Sequence, residues 1–138
     1  AAPADRSCAT LGADIQALDA ALGADLDTPP SADDPGLVVA AQFSSDLDHA
    51  RSWVGQVLGP LATNADSDER LRETLRGFLR NSSNFKATAD ELHLHVNSVK
   101  YRVQRAIERR GKPIEADRID VEVALLLCHW FGAAVLGP

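Results

Sequence analysis

The sequence is as informative in what it lacks as in what it holds. Two cysteines, Cys8 and Cys128, are too few for a disulfide framework, so nothing calls for an oxidising compartment and the cytoplasm is the natural location. No stretch reads as secretory or membrane-spanning. The longest nearly apolar run, Val121 to Leu136, is shorter than the roughly 20 residues a spanning helix needs, so it is expected to be buried in protein and no membrane partner is expected. Methionine is absent even from position 1, which leads to the expectation of a portion excised from a longer chain. No serine, cysteine or carboxylate pair has the partner spacing that catalysis requires, so an enzyme is not expected. Basic residues are scarce in the first half: residues 1 to 65 hold only Arg6 and Arg51 against nine aspartates, a net charge of −7. Phosphate would repel that half, so any nucleic-acid contact belongs to the second.

What is present suffices for a globular core. At 138 residues and 45% hydrophobic, the chain needs neither disulfides nor a metal to bury apolar surface. The most informative segment runs from Asn84 to Arg110. Asn84 can cap a short helix whose Ala87, Thr88, Ala89 and Leu92 give a small-residue face for close packing. His93-Leu94-His95 makes the turn, with Leu94 plugging the space between helices. His95 or Asn97 then caps a second helix with an apolar stripe of Val99, Val103, Ala106 and Ile107. Its other face is cationic: Lys100, Arg102, Arg105, Arg109, Arg110 and Lys112 stand against Glu108, a net +5 over residues 97 to 112 in a chain whose total is −6. A solvated basic helix in an ordinary bundle accounts for the charge alone. The Ala89, Leu94 and Val99 spacing favours a helix-turn-helix that inserts its second helix into the DNA major groove.

The second half resembles the DNA-binding domain of the PucR/CdaR (sugar diacid regulator) family of bacterial transcription factors, whose turn and recognition helix are similar to those of Fis. The resemblance is carried by Leu71-Arg72-Glu73-Thr74-Leu75, the loop from Asn81 to Asn84, Ala87-Thr88-Ala89-Asp90-Glu91-Leu92, His95 through Val103, and Asp117-Arg118-Ile119, with Leu58-Gly59-Pro60-Leu61 as lead-in. It covers about residues 50 to 136. Val96, Ser98 and Lys100 depart from the residues usual in the family, which bears on base preference and not on fold. The family resemblance implies a sensory or GGDEF-like domain upstream, so residues 1 to 45 are expected to be its tail or a linker, and 46 to 138 the helix-turn-helix domain. It also implies regulation of metabolic genes and a small-molecule effector acting on the upstream domain.

The fold class expected is mainly α, a helical bundle with at most one or two short strands near the N-terminus. Leu11, Ile15, Leu18, Leu22 and Leu26 mark one amphipathic helix. Leu37 to Phe43 is β-like, and Ser45 with Asp48 starts a helix running to Leu58, stopped by Gly59-Pro60. Asp66 to Asp68 starts another, carrying Leu71, Leu75, Phe78 and Leu79 as the wall behind the turn motif. Asp120 is expected to cap the last helix. That helix is apolar on nearly every face, which predicts a homodimer through Leu125, Leu127, Trp130, Phe131 and Leu136 unless the N-terminal half covers it.

The candidate DNA site has three parts. Asn97, Ser98 and Lys100, with Tyr101 and Arg102, form the groove-facing set, and Tyr101 is equally compatible with packing in the core or reaching a phosphate. Arg105, Arg109 and Lys112 are expected on phosphates, as are Asn84 and Lys86 at the start of the first helix. His95 is expected to meet a phosphate or a base. His93 and His95 beside Asp90 and Glu91 offer too few ligands to define a metal site, and no cofactor is expected. His129 reads as a hydrogen-bonded core or interface residue, and Cys128 as a small buried hydrophobe. The partner expected is double-stranded DNA. Two rival readings remain: a module whose basic helix docks an acidic protein surface, and an effector-sensing fragment that does not touch DNA.

Overall fold

The computed structural model describes residues 36–138. The amphipathic stretch from Leu11 to Leu26 and Cys8 lie outside the described residues. Six α-helices follow in order: α1 Leu37–Ala41, α2 Leu47–Leu58, α3 Asp66–Arg80, α4 Phe85–Leu92, α5 Val96–Arg110 and α6 Arg118–Phe131. Short 3-10 turns occupy Gly59–Leu61, Ile114–Ala116 and Gly132–Val135. Among the described residues there is no strand. The nearest approach to one is an isolated parallel bridge between Thr63 and Gly137, which pins the end of the chain beside the lead-in to α3.

The β-like reading of Leu37 to Phe43 is overturned by α1. A continuous apolar run fits a buried strand or a helix equally, and tertiary partners decide. Here Leu37, Ala40 and Ala41 are buried while Val38 and Val39 are exposed, a helical i, i+3, i+4 face that packs on α6. Gly36 enters this helix with a φ of 82°, and a Cβ there would lie 2.6 Å from Leu126 Cδ1, so both backbone and space require glycine.

Helix α2 starts one residue later than the Ser45 cap expected. Asp46 accepts from the backbone N–H of His49, and Ala50, Val54, Val57 and Leu58 form the buried face. Gly59 ends it with a φ of 56° and Pro60 prevents its continuation. Trp53 stacks on Phe43, which closes the α1–α2 turn.

Helix α3 is the central element, packing on α4, α5 and α6. It ends at Asn81, whose side-chain amide donates to the Gly77 carbonyl, and Ser82 and Ser83 take left-handed conformations that turn the chain. Helix α6 begins at Asp117, three residues before the cap expected at Asp120.

Among the described residues, most of the apolar surface that predicts dimerisation is covered within one chain. Leu125, Leu127, Phe131 and Leu136 are all buried within one chain, under α1, α2 and α3, and Trp130 is half-buried against the same core. The expectation assigned to a second subunit the cover that α1 and α2 supply. Val54, Leu58, Leu61, Leu75, Val99, Val121 and Leu127 complete the single core, each such side chain stabilising the fold by about 1.5–3 kcal/mol relative to exposure.

Three arginines bind the layers together, Arg72 and Arg110 from inside and Arg109 from the edge. Arg110, fully buried at the end of α5, donates through Nε to the Val57 carbonyl at 2.8 Å and pairs with Asp117. Arg72, also buried, donates to the carbonyls of Leu61 and Thr63. Arg109 donates to both carboxylate oxygens of Asp68 and to the Pro60 carbonyl. Removing one partner of such a buried group strands the other. Arg110→Ala is therefore expected to lower unfolding stability by roughly 3–5 kcal/mol, and adding Asp117→Ala to recover part of it. Urea denaturation of the single and double variants checks this, and a loss under about 1 kcal/mol for Arg110→Ala would show the pair to be dispensable.

Candidate nucleic-acid interface

Helices α4 and α5 and their turn form the geometry expected from sequence, and the local interactions show why. Asn84 caps α4 by accepting from the Ala87 N–H at 2.9 Å. Thr88 and Ala89 are buried, allowing α4 to approach both α3 and α5. The helix ends at His93, which adopts a left-handed conformation with a φ of 56°, while the Leu94 N–H bonds back to the Ala89 carbonyl. Leu94 packs against the core from the turn. Of the two candidate caps for α5, His95 is the one used: its Nδ1 accepts from the Asn97 N–H at 3.0 Å. In the neutral ring Nε2 then carries the proton and remains a donor.

Helix α5 runs 15 residues, about 22 Å at 1.5 Å per residue. Its buried face is Val99, Val103, Ala106 and Arg110. Helical periodicity places Asn97, Tyr101, Gln104 and Glu108 on the opposite ridge, and all four are exposed. Tyr101 is 67% exposed, which settles its alternatives: it belongs to the outward ridge and not to the core. Lys100 lies on the flank toward α4, its Nζ 5.6 Å from the centre of the Phe85 ring, an attraction that holds the ammonium close to the start of α4. Ser98, Arg102, Arg105 and Arg109 lie on the other flank, toward α3. Asn84 and Lys86 are exposed at the start of α4, with Lys86 only loosely paired to Asp90 at 3.9 Å.

The cations at the end of α5 are differently employed. Arg109 donates to Asp68 and to the Pro60 carbonyl while keeping about a third of its side chain exposed. Lys112 is exposed but follows the C-cap Gly111, at the end of α5 remote from Asn97. Arg105 keeps half its side chain in solvent beside Glu108 at 3.5 Å.

Two residues of this surface were not singled out in the sequence reading. Gln104 completes the outward ridge, and its signal is simple spacing, seven residues after Asn97. Arg70 projects from α3 beside Arg102 and Arg105. Its local sequence, with Asp66, Asp68 and Glu69, conceals it as one more charge on a mixed helix.

Two other sequence candidates fall elsewhere. His129 is at the surface rather than in the core, and its Nδ1 lies 3.1 Å from Glu73. Cys128 is buried as expected, and burial pushes its thiol up to about 12, far from the reactive thiolate range. Among the described residues no group of three His, Cys, Asp or Glu side chains is placed to hold a metal ion, and no helix is long and apolar enough to cross a membrane.

A short helix, a tight turn and a second helix with an exposed polar ridge, backed by α3, define a helix-turn-helix domain. Residues 71–127 match the PucR C-terminal helix-turn-helix domain, and the chain carries a domain of that family. Such a domain is a regulatory DNA-binding unit and not a catalytic one. Two curated relatives are similar to part of this chain. The uncharacterized protein YxkF of Bacillus subtilis is 46% identical over 50 residues, 36% of this chain and 17% of that protein. An uncharacterized protein from the pkwA 5' region of Thermomonospora curvata is 44% identical over 64 residues, 46% of this chain and 35% of that protein. The chain thus spans 17% and 35% of the lengths of the relatives it matches. No solved structure matches it.

The Asp68–Arg109 pair makes stability depend on acidity. Burial raises the Asp68 pKa, but hydrogen bonds from Arg109 and Thr63 and the charges of Arg109 and Arg72 outweigh it and hold the carboxyl below 3.8. Glu73 behaves alike: burial raises it, and the His129 contact with Arg76 and Arg72 brings it below 4.5. A carboxyl depressed on folding stabilises the protein above its unfolded pKa and loses that contribution as pH falls through the folded value. Stability is expected to decline as pH drops below about 4.5, and Asp68→Asn to flatten that acid limb. Urea midpoints from pH 7 to pH 2 test this, and an unchanged limb in Asp68→Asn would assign it to other carboxyls.

Proposed function

We propose that the chain is the DNA-binding part of a sequence-specific transcriptional regulator of bacterial metabolic genes, acting in the cytoplasm by occupying an operator. The observation that carries this reading is the outward ridge of α5, where Asn97, Tyr101 and Gln104 stand exposed between cationic flanks on a helix-turn-helix scaffold. Amide, phenol and lysine donors near the N-terminal end of a groove-inserted helix meet base edges. Asn97, Ser98, Lys100 and Tyr101 are assigned that role, with Gln104 added from the structure. Arg102, Arg105, Asn84, Lys86 and the His95 Nε2 donor are assigned to phosphates. Residues preceding α1 are read as linking this unit to an upstream effector-responsive domain, α1 itself being packed on α6. Pairing of two copies on a symmetric operator would raise affinity through effective concentration, but Leu125, Leu127, Phe131 and Leu136 are core residues of one chain.

Lys100→Ala or Asn97→Ala should relax sequence preference, each lost base contact being worth about 1–3 kcal/mol, with little effect on random DNA. Arg105→Ala should weaken all duplexes equally and lower the slope of log K against log salt by about one unit. The measurement is affinity for duplexes selected from genomic fragments and for random duplexes across a salt series. Wild-type affinity for both in all three variants would exclude α5 as the DNA-contacting element and favour docking of an acidic protein surface.

A further inference from the structure

The flank of α5 that faces α3 holds a second cationic element supplied by another helix. Arg70 of α3 converges with Arg102 and Arg105 of α5 on one surface notch, with Ser67 and Tyr101 at its edge. The carboxylate lining this notch, Asp68, is already neutralised: it accepts from Arg109 and from the Thr63 hydroxyl. Arg70 and Arg102 make no side-chain hydrogen bond or ion pair among the described residues. Arg105 has only the long contact with Glu108. Like charges brought together from separate helices repel unless an anion joins them.

We propose that Arg70, Arg102 and Arg105 form a seat for a backbone phosphate of duplex DNA on the α3 side of the recognition helix. The proposal rests on the reading that α5 enters DNA, and extends it. A helix in the major groove has a phosphate strand on each side. Asn84 and Lys86 serve the α4 side, and the arginine seat supplies the opposite one. Guanidinium forks match phosphate oxygens in pairs, which a set of lysines would not do. Asp66, Glu69 and Glu73 line the neighbouring cleft that Arg70 and Arg102 also border. Their negative charge disfavours a phosphate in that cleft and confines the strand to the α5 side of Arg70.

The test uses the full chain with Arg70→Ala and Arg70→Lys, titrated with a fluorescent random-sequence duplex and with a duplex selected from genomic fragments, each over a salt series. Arg70 is exposed, and thermal melts of the variants confirm that they fold. The seat requires Arg70→Ala to weaken both duplexes by the same factor and to lower the salt slope by about one unit, and Arg70→Lys to restore the slope but only part of the affinity. If Arg70→Ala keeps the wild-type affinity and slope while Arg102→Ala weakens binding, the seat is overturned and the α5 reading stands. A loss confined to the selected duplex overturns the phosphate assignment. Absence of wild-type binding to either duplex at low salt overturns the seat and the DNA reading together.

Discussion

The two consecutive arginines at the end of α5 fix where the recognition helix can point. Arg110 reaches into the protein to the Val57 carbonyl and Asp117, while Arg109 spans outward to Asp68 and Pro60. Together with Arg72, which holds the carbonyls of Leu61 and Thr63, they tie α5 to the α2–α3 connection and to the start of α6. Backbone carbonyls that end α2 or lie in irregular chain need donors, and these guanidiniums supply several at once. The apolar stripe of α5 sets which face is buried. The arginine contacts add directional restraint, because a hydrogen bond loses strength steeply as its geometry departs from linear.

This arrangement divides one basic helix into two working parts. The C-terminal turn spends its charge internally, against Asp68 and Asp117. The N-terminal and middle turns retain theirs, with Lys100, Arg102 and Arg105 partly or fully in solvent. The net charge counted along the segment therefore overstates what is available to a phosphate backbone at one end. It understates it on the α3 flank, where Arg70 joins from a distant point in sequence. An acidic chain presents a cationic surface here because its acidic groups near the helix are already paired or stand in the adjoining cleft.

The helix-turn-helix was legible because its signals are local. Asn84 as a cap, the small Thr88 and Ala89, Leu94 in the turn and the Val99–Val103–Ala106 stripe each act within a few residues of their partners, and each occupies its expected place. The fate of Leu37 to Phe43 was not legible, since an apolar run satisfies helix and strand alike until a partner is present. The last helix misled for the same reason. Its excess of apolar faces was real, but the elements that cover it, α1 at Leu37–Ala41 and α2 at Leu47–Leu58, lie far earlier in the chain, and nothing in the pattern of α6 names them.

Sequence alone determined the mainly helical class, the turn motif and the capping of α4, because these depend on propensity, periodicity and contacts between near neighbours. Only the tertiary structure decided that Arg110 serves the core and Arg109 pairs with Asp68, that Arg70 joins the α5 surface, and that α6 is largely covered within its own chain. Each of these depends on a pairing across tens of residues, where the partner is selected by three-dimensional proximity, and charge or apolarity read along the chain is the same whether a side chain faces a carboxylate, a core or a phosphate.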